Sequence, residues 1–174
     1  MTETVEDGLA ASRLVDSEPD PAARRALVAA NLESSLRAVF HAGAFHRFET
    51  TAYETRAAGE PLTADRLAEL WLAAHEAYYG EALDFPAEYG HAWTAIPQFV
   101  EARFYVHSYV FSQLLALALH ARREEVGARF VEFLRYGGSI APLEQLASLG
   151  LDPTRRETWQ LGFTELERLV AQAG

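Results

Sequence analysis

Helical spacing of apolar residues runs through most of the chain, and it restricts the fold more than any other feature. Apolar side chains recur three and four residues apart in one segment after another, and no stretch alternates convincingly between apolar and polar as a half-buried strand does. The run from Val110 to Leu119 is apolar on nearly every side, which predicts a helix that is buried centrally or covered by a partner. The sequence therefore predicts an all-α fold, a bundle of five or six helices.

Capping and helix-breaking residues divide this pattern into elements. Pro21 follows Asp20 as a helix start, Thr63 can cap a second helix, and Gly80 can end it. Residues 1–20 are weakly periodic and are expected to be weakly structured, whereas 21–174 are expected to form a single helical domain. The expected helices run from Pro21 to about Arg56, from Thr63 to Gly80, from Pro97 to about Arg122, from Val126 through Leu134 to Gly137, from about Pro142 to Leu149, and through Trp159 to Val170.

Composition excludes several classes of function. With 174 residues, of which 49% are apolar, the chain can bury one sizeable core. A formal net charge of -10 argues against nucleic-acid and anionic-membrane partners, and the absence of cysteine rules out disulfides and thiolate metal sites. The acidic N-terminus lacks the order of a signal peptide, and no apolar run is long enough to span a membrane. We expect a soluble, cytoplasmic protein.

Short segments in a fixed order carry a family resemblance. They are Gly59–Ala64, Tyr78–Gly80, Glu88–Gly90, Trp93, Ile96–Pro97, Phe104–Val106, Phe133–Leu134, Gly137–Ser139, Pro142–Glu144 and Gly150–Asp152. In this order and spacing, the chain from Asp16 to Ala173 resembles the C-terminal lobe of oligoendopeptidase F, one of the thimet-oligopeptidase-like zinc peptidases. The resemblance implies the fold of the C-terminal part of that catalytic domain, and it implies metalloendopeptidase activity for the family.

The family's zinc motif is missing from this sequence. Those enzymes bind zinc through a His-Glu-x-x-His helix and a downstream glutamate, because two histidines four residues apart share a helix face. The nearest string here begins at His75, which is expected on a helix surface, and has Tyr79 where the second histidine is needed. By resemblance, Met1 falls near the third ligand. We therefore expect no cofactor in this chain, zinc only if a partner chain supplies the ligands, and no peptidase activity from the chain alone.

The family's second catalytic element is also altered. In the family, a histidine after Ile-Pro and a later tyrosine stabilise the oxyanion of the tetrahedral intermediate, a role that needs donors aimed at the developing charge. The resemblance places Gln98 and His107 at these positions, with Tyr109 as a further transition-state position. Glutamine donates a hydrogen bond without charge, and the charge of an imidazole depends on pH. We expect Arg103, Tyr105, His107 and Tyr109 to bind a ligand.

A metal site of a different kind is the remaining candidate for chemistry. His46 and Glu49 are three residues apart and share a helix face, and His41 lies on the same predicted helix. If His107 approached this helix, histidine and carboxylate ligands would suit zinc or iron. No metal is expected here, because exposed or hydrogen-bonded histidines are far more common than ligands.

Three functions follow from these observations. The leading hypothesis is a non-catalytic, peptidase-like binding or accessory protein that binds a peptide or a partner subunit. By resemblance, this lobe packs against a zinc-bearing half, so its uncovered apolar surface would be buried by homodimerisation or by a zinc-bearing partner subunit. The first alternative is the substrate-binding subunit of a split zinc metallopeptidase whose metal helix is on another chain. The second alternative is a repurposed His/Glu metal enzyme.

Overall fold

The fold of the described chain is entirely helical. The structure is a computed structural model that describes residues 14–15 and 17–173, so most of the segment predicted to be weakly structured, residues 1–13 and 16, lies outside the described residues. No strand occurs among the described residues, which confirms the all-α prediction. The α-helices are α1 (Pro21–Leu36), α2 (Ala42–Ala57), α3 (Ala64–Tyr79), α4 (Gln98–Glu101), α5 (His107–Ala121), α6 (Arg123–Tyr136), α7 (Pro142–Ser148) and α8 (Arg156–Ala173).

Shorter helical segments join these helices. A π-helical turn, Arg37–His41, links α1 to α2, and 3-10 segments span Gly80–Ala82 and Ala87–Ala95. The chain groups into two compact units: unit 1 contains the described residues up to Ser35 and those from Ser112 onward, and unit 2 is Leu36–Phe111. The expectation of one domain over 21–174 stays a prediction. None of the helices in the described part of the chain is long and apolar enough to cross a membrane.

Helix boundaries follow the capping residues that the sequence offers. Asp20 Oδ1 accepts a hydrogen bond from the backbone N–H of Ala22 at 3.2 Å, immediately before α1. Thr63 Oγ1 accepts one from the N–H of Arg66 at 3.2 Å and caps α3 as predicted. Gly80 stands at the end of α3 with φ +52°, a backbone conformation that favours glycine. Local chemistry therefore determines where these helices begin and end.

The core of unit 1 is built around the apolar run of α5. All residues from Leu114 to Leu119 are buried, which confirms the predicted central position of this run. Helix α8 approaches α5 closely at Gly162, where a Cβ atom would come within 2.6 Å of the carbonyl oxygen of Leu114. The approach is closer than any side chain would allow, so glycine is required at this contact.

The core of unit 2 is an aromatic cluster between α2, α3 and the second 3-10 segment. Trp71 is 1% exposed, and its ring lies 5.2 Å from Phe48 in an edge-to-face arrangement. His75, expected on a helix surface, is fully buried, and that expectation is wrong. Its ring packs 4.2 Å from Trp71 while Nδ1 lies 2.8 Å from the Trp71 carbonyl oxygen. This hydrogen bond supplies the polar partner that a buried imidazole needs.

The predicted helix from Pro97 to Arg122 is interrupted. Helix α4 ends at Glu101, residues 102–106 form turns, and α5 begins at His107. Within the turn, Phe104 has φ +60°, in the left-handed region that non-glycine residues rarely adopt. Val106 beside it is almost fully buried. The interruption exposes the residues on either side of Val106, and these include the predicted ligand-binding positions.

Candidate functional site

The predicted site residues lie together on unit 2, along α4, the turn after it and the first turn of α5. We call this set the 98–109 face; its members are Gln98, Arg103, Tyr105, His107 and Tyr109. Tyr105 is 51% exposed and Tyr109 is 43% exposed, while Arg103 and His107 are also exposed and Gln98 is half-buried. Several polar and aromatic groups are therefore available to a ligand on one continuous segment.

Direct contacts join three members of this face. Gln98 Nε2 donates a weak hydrogen bond to Tyr109 Oη at 3.4 Å. The rings of Tyr105 and Tyr109 meet edge to face, with centroids 5.6 Å apart and planes at 85°. The amide and the phenol that occupy transition-state positions by resemblance are thus neighbours. Both are uncharged groups, so the pair can orient a polar ligand without holding a formal charge.

His107 is held by its own turn. Its Nδ1 lies within hydrogen-bonding distance of the Phe104 carbonyl oxygen, which can only accept a hydrogen bond, so Nδ1 carries the hydrogen and Nε2 is the acceptor of the neutral ring. The His107 ring lies 5.9 Å from the ring of His46 on α2. Among the described residues, Arg103 has no hydrogen bond or ion pair. Besides the tyrosines, the 98–109 face therefore offers His107 Nε2 as an acceptor and Arg103 as a cation.

A buried carboxylate positions the turn that carries this face. Glu49 is 3% exposed, and its Oε1 accepts a hydrogen bond from the backbone N–H of Phe104 at 2.7 Å. The ring of Tyr53, one turn further along α2, lies 4.9 Å from the Phe104 ring. From the sequence, Glu49 is predicted only as a possible metal ligand. No local signal pairs residues that are 55 positions apart, so this supporting contact could not be read from the sequence.

The alternative metal site is only partly assembled. His46 and His107 are neighbours, as that hypothesis required, but one oxygen of Glu49 is used by the Phe104 amide. His41 instead packs against His75 and shares a 3.4 Å hydrogen bond with Tyr79. Within the described ranges, no three His, Asp or Glu side chains converge to hold a metal ion. The residues present do not fit the zinc site of the resembled peptidases.

Burial shifts the titration of a second cluster in unit 2. The largest cause of the lowered pKa values of His41 and His75 is burial, which disfavours their charged forms. Burial also raises the pKa of Tyr79 and of Tyr89, whose Oη lies 3.3 Å from Nε2 of His75. These four groups are therefore neutral near pH 7, and they serve as hydrogen-bonding members of the core.

A charged cluster lies in unit 1. Burial alone would raise the pKa of Glu165, but hydrogen bonds from His120 and Arg168 outweigh it and lower that pKa to about 2. His120 Nδ1 lies 2.7 Å from Glu165 Oε1, and Arg168 donates to both oxygens of the same carboxylate. Glu165 therefore stays ionised at neutral pH and ties α8 to the end of α5.

Comparison with known proteins identifies the family. Residues 12–165 match Peptidase family M3. The chain belongs to peptidase family M3. This M3 chain is 31% identical to the plasmid oligoendopeptidase F of Lactococcus lactis subsp. cremoris, over 98% of its own length and 30% of that protein. It is 27% identical to oligopeptidase PepF of Bacillus subtilis, over 90% of its length and 24% of that protein. The predicted resemblance to oligoendopeptidase F is confirmed.

A solved structure agrees with this assignment. The crystal structure of oligoendopeptidase-F from Enterococcus faecium superposes with a TM-score of 0.78 at 25% sequence identity, over 96% of the M3 chain and 34% of that protein's chain. This match confirms the predicted fold class. The chain spans about 30% of the length of the lactococcal relative that it matches.

Proposed function

We propose that this chain is a non-catalytic binding or accessory protein of the M3 family, which engages a peptide or a partner subunit through the 98–109 face. The observation that carries the proposal is the exposure of Tyr105 and Tyr109 beside Gln98. Gln98 stands where the family resemblance implies a histidine. Exposed tyrosines supply contact area at low entropic cost and are enriched at interfaces. The partner is a second copy of the chain or a subunit that carries zinc.

Native mass spectrometry after gentle purification tests this proposal, because it reports partner, stoichiometry and metal together. We expect the chain in a stoichiometric complex, and we expect Tyr105→Ala with Tyr109→Ala to weaken that complex at least about tenfold, as the loss of two aromatic contacts would. Leu143→Ala is the matched control, since Leu143 is an exposed apolar residue on α7 in unit 1. A monomer that also fails to bind peptides would contradict the proposal.

Catalysis by the chain alone is the second test. We expect the purified chain, supplied with Zn²⁺, to leave a quenched-fluorescent oligopeptide intact, because its residues offer no family zinc site. Cleavage that co-purifies with the chain and is abolished by His107→Ala would overturn the binding-protein proposal.

A split zinc peptidase is the second candidate function. It is favoured by the adjacency of Gln98 Nε2 and Tyr109 Oη, two hydrogen-bond donors at positions that stabilise the transition state in the resembled enzymes. In that case, peptide cleavage should appear only on mixing with a chain that carries His-Glu-x-x-His. Tyr109→Phe should then reduce kcat more than KM, which a purely binding role would not produce.

A further inference from the structure

Unit 2 contains an apolar cavity of about 280 Å³ whose lining includes no residue of the 98–109 face. We call it the α2 cavity. Its walls are formed by Phe48, Ala52, Leu62, Leu67, Trp93 and Phe99. An apolar cavity of about 150 Å³ is enough to hold benzene, so this one accommodates a phenyl ring with room beside it. Three aromatic walls favour an aromatic occupant, because ring edges and faces attract one another.

The mouth of the α2 cavity combines exposed apolar surface with a cation. Val100 is 82% exposed and Tyr53 is 40% exposed, and both line the cavity. Arg56 lines it as well, is exposed, and has no hydrogen bond or ion pair from its guanidinium within the described part of the chain. A polypeptide lying across Tyr53 and Val100 would cover this surface, and an anionic group would pair with Arg56.

The inner wall of the cavity supplies a buried acceptor. Glu49 also lines it, and while Oε1 is bonded to the Phe104 amide, the buried Oε2 has no partner among the described residues. An unpaired buried carboxylate oxygen is costly and calls for a donor. Its negative charge also keeps a ligand's own carboxylate away from this wall, whereas Arg56 attracts that carboxylate to the mouth. A ligand is thereby oriented with its N–H group inward.

The two charged groups of the cavity lie along one face of α2. Glu49 and Arg56 are seven residues apart on it, which separates their Cα atoms by about 10 Å along the helix. One residue with a hydrogen bond at each end covers roughly 9 Å, from a donor on its amide nitrogen to a carboxylate at its far end. A C-terminal residue is the part of a polypeptide that offers both groups together with a side chain.

We propose that the α2 cavity binds the C-terminal residue of a polypeptide with an aromatic side chain. The ring enters the cavity, the terminal carboxylate pairs with Arg56, and the backbone N–H of that residue donates to Glu49 Oε2. The preceding residues lie over Tyr53 and Val100. This site uses none of the five side chains that define the 98–109 face, although Phe99 and Val100 come from the same helix, α4.

Calorimetric titration of the full chain with three probes tests the chemistry of this site. The probes are acetyl-alanyl-phenylalanine, its C-terminal amide, and octanoate, which has a carboxylate but no amide N–H. We expect the acid to bind about two- to fivefold more tightly than the amide, as one exposed ion pair allows. Octanoate should bind more weakly than the acid. Equal binding of acid and amide, or tighter binding of octanoate, would overturn the proposal.

Variants locate the binding within the cavity. Arg56→Gln should abolish the preference for acid over amide, while Arg47→Gln, an exposed arginine on the same helix that does not line the cavity, should preserve it. Ala52→Leu should fill the cavity and eliminate binding of both peptides, with the folded state checked by circular dichroism. Unchanged binding by a folded Ala52→Leu protein would show that the site lies elsewhere. Arg56→Gln changes an exposed side chain, so its result does not depend on refolding of the core.

Discussion

Phe104 shows how one residue is held in an unfavourable conformation to present a surface. A non-glycine residue in the left-handed region costs roughly 1–3 kcal/mol and persists only where neighbouring structure enforces it. Here the Glu49 carboxylate binds the Phe104 N–H, and the Tyr53 ring packs on its side chain. Both supporting groups come from α2. The orientation of the 98–109 face therefore depends on a helix that contributes no residue to it.

Removing the Glu49 carboxylate should therefore destabilise unit 2. We expect Glu49→Ala to lower the free energy of unfolding by roughly 2–4 kcal/mol, because the Phe104 N–H loses its partner and a buried space opens. Glu49→Gln keeps an oxygen acceptor and should cost less. Urea denaturation measures both, with His46→Ala as an exposed control on the same helix. A Glu49→Ala protein as stable as its parent would show that the turn at residues 102–106 does not depend on the hydrogen bond to Glu49.

At the residue level, the family resemblance selected candidate positions, and their role stays a prediction. Gln98, His107 and Tyr109 lie on one segment of unit 2, where His107 and Tyr109 are exposed and Gln98 is half-buried. His75 was misjudged because the residue type suits a helix surface, whereas its burial depends on Trp71 and Tyr89. A hydrogen bond to the backbone of its own helix makes that burial tolerable, and such tertiary packing leaves no mark on local sequence.

Helix ends agree with the sequence where a capping residue sets them. They differ from it where contacts between residues distant in sequence interrupt a helix. Thr63 and Gly80 were assigned correctly because a cap and a left-handed glycine act within one turn. The turn between α4 and α5 was missed because it is held from α2, 55 residues earlier. The π-helical turn Arg37–His41 was missed as well, since apolar spacing continues through it.

Two glycines in helices should respond in opposite ways to alanine. We expect Gly162→Ala to destabilise the protein by roughly 1–3 kcal/mol, because its Cβ would collide with the Leu114 carbonyl, a backbone atom that cannot move aside. Gly127→Ala, with open space around the new Cβ on α6, should stabilise it by about 0.5–1 kcal/mol. Thermal melting compares the two variants directly. Equal effects would mean that α8 can shift away from α5.

At the scale of the whole molecule, acid should act on the two units in different pH ranges. In unit 2, burial places the folded pKa values of His41 and His75 below 6.5, so the stability from their neutral forms is present above pH 6.5 and declines as pH falls below it. In unit 1, Glu165 has its pKa lowered from 4.5 to about 2, so its contribution is lost only between those values.

Amide hydrogen exchange followed by NMR at a series of pH values separates these contributions. We expect protection in unit 2 to fall first on acidification, with unit 1 following below pH 4.5. Glu165→Gln should reduce stability at neutral pH and flatten the pH dependence of unit 1 below pH 4.5. Loss of protection in unit 1 at higher pH than in unit 2 would contradict this order.

The placement of the tryptophans gives the molecule an intrinsic optical reporter. Trp71 and Trp93 belong to the core of unit 2, whereas Trp159, whose Nε1 donates to the Pro153 carbonyl oxygen at 2.9 Å, belongs to unit 1. Replacing Trp159 with phenylalanine would leave fluorescence emission that arises from unit 2 alone. Because the sequence has no cysteine, a single engineered cysteine in unit 1 could be labelled with a fluorescent dye as the second reporter. The unfolding of unit 2 could then be followed by tryptophan emission, and the unfolding of unit 1 by dye emission, in one sample.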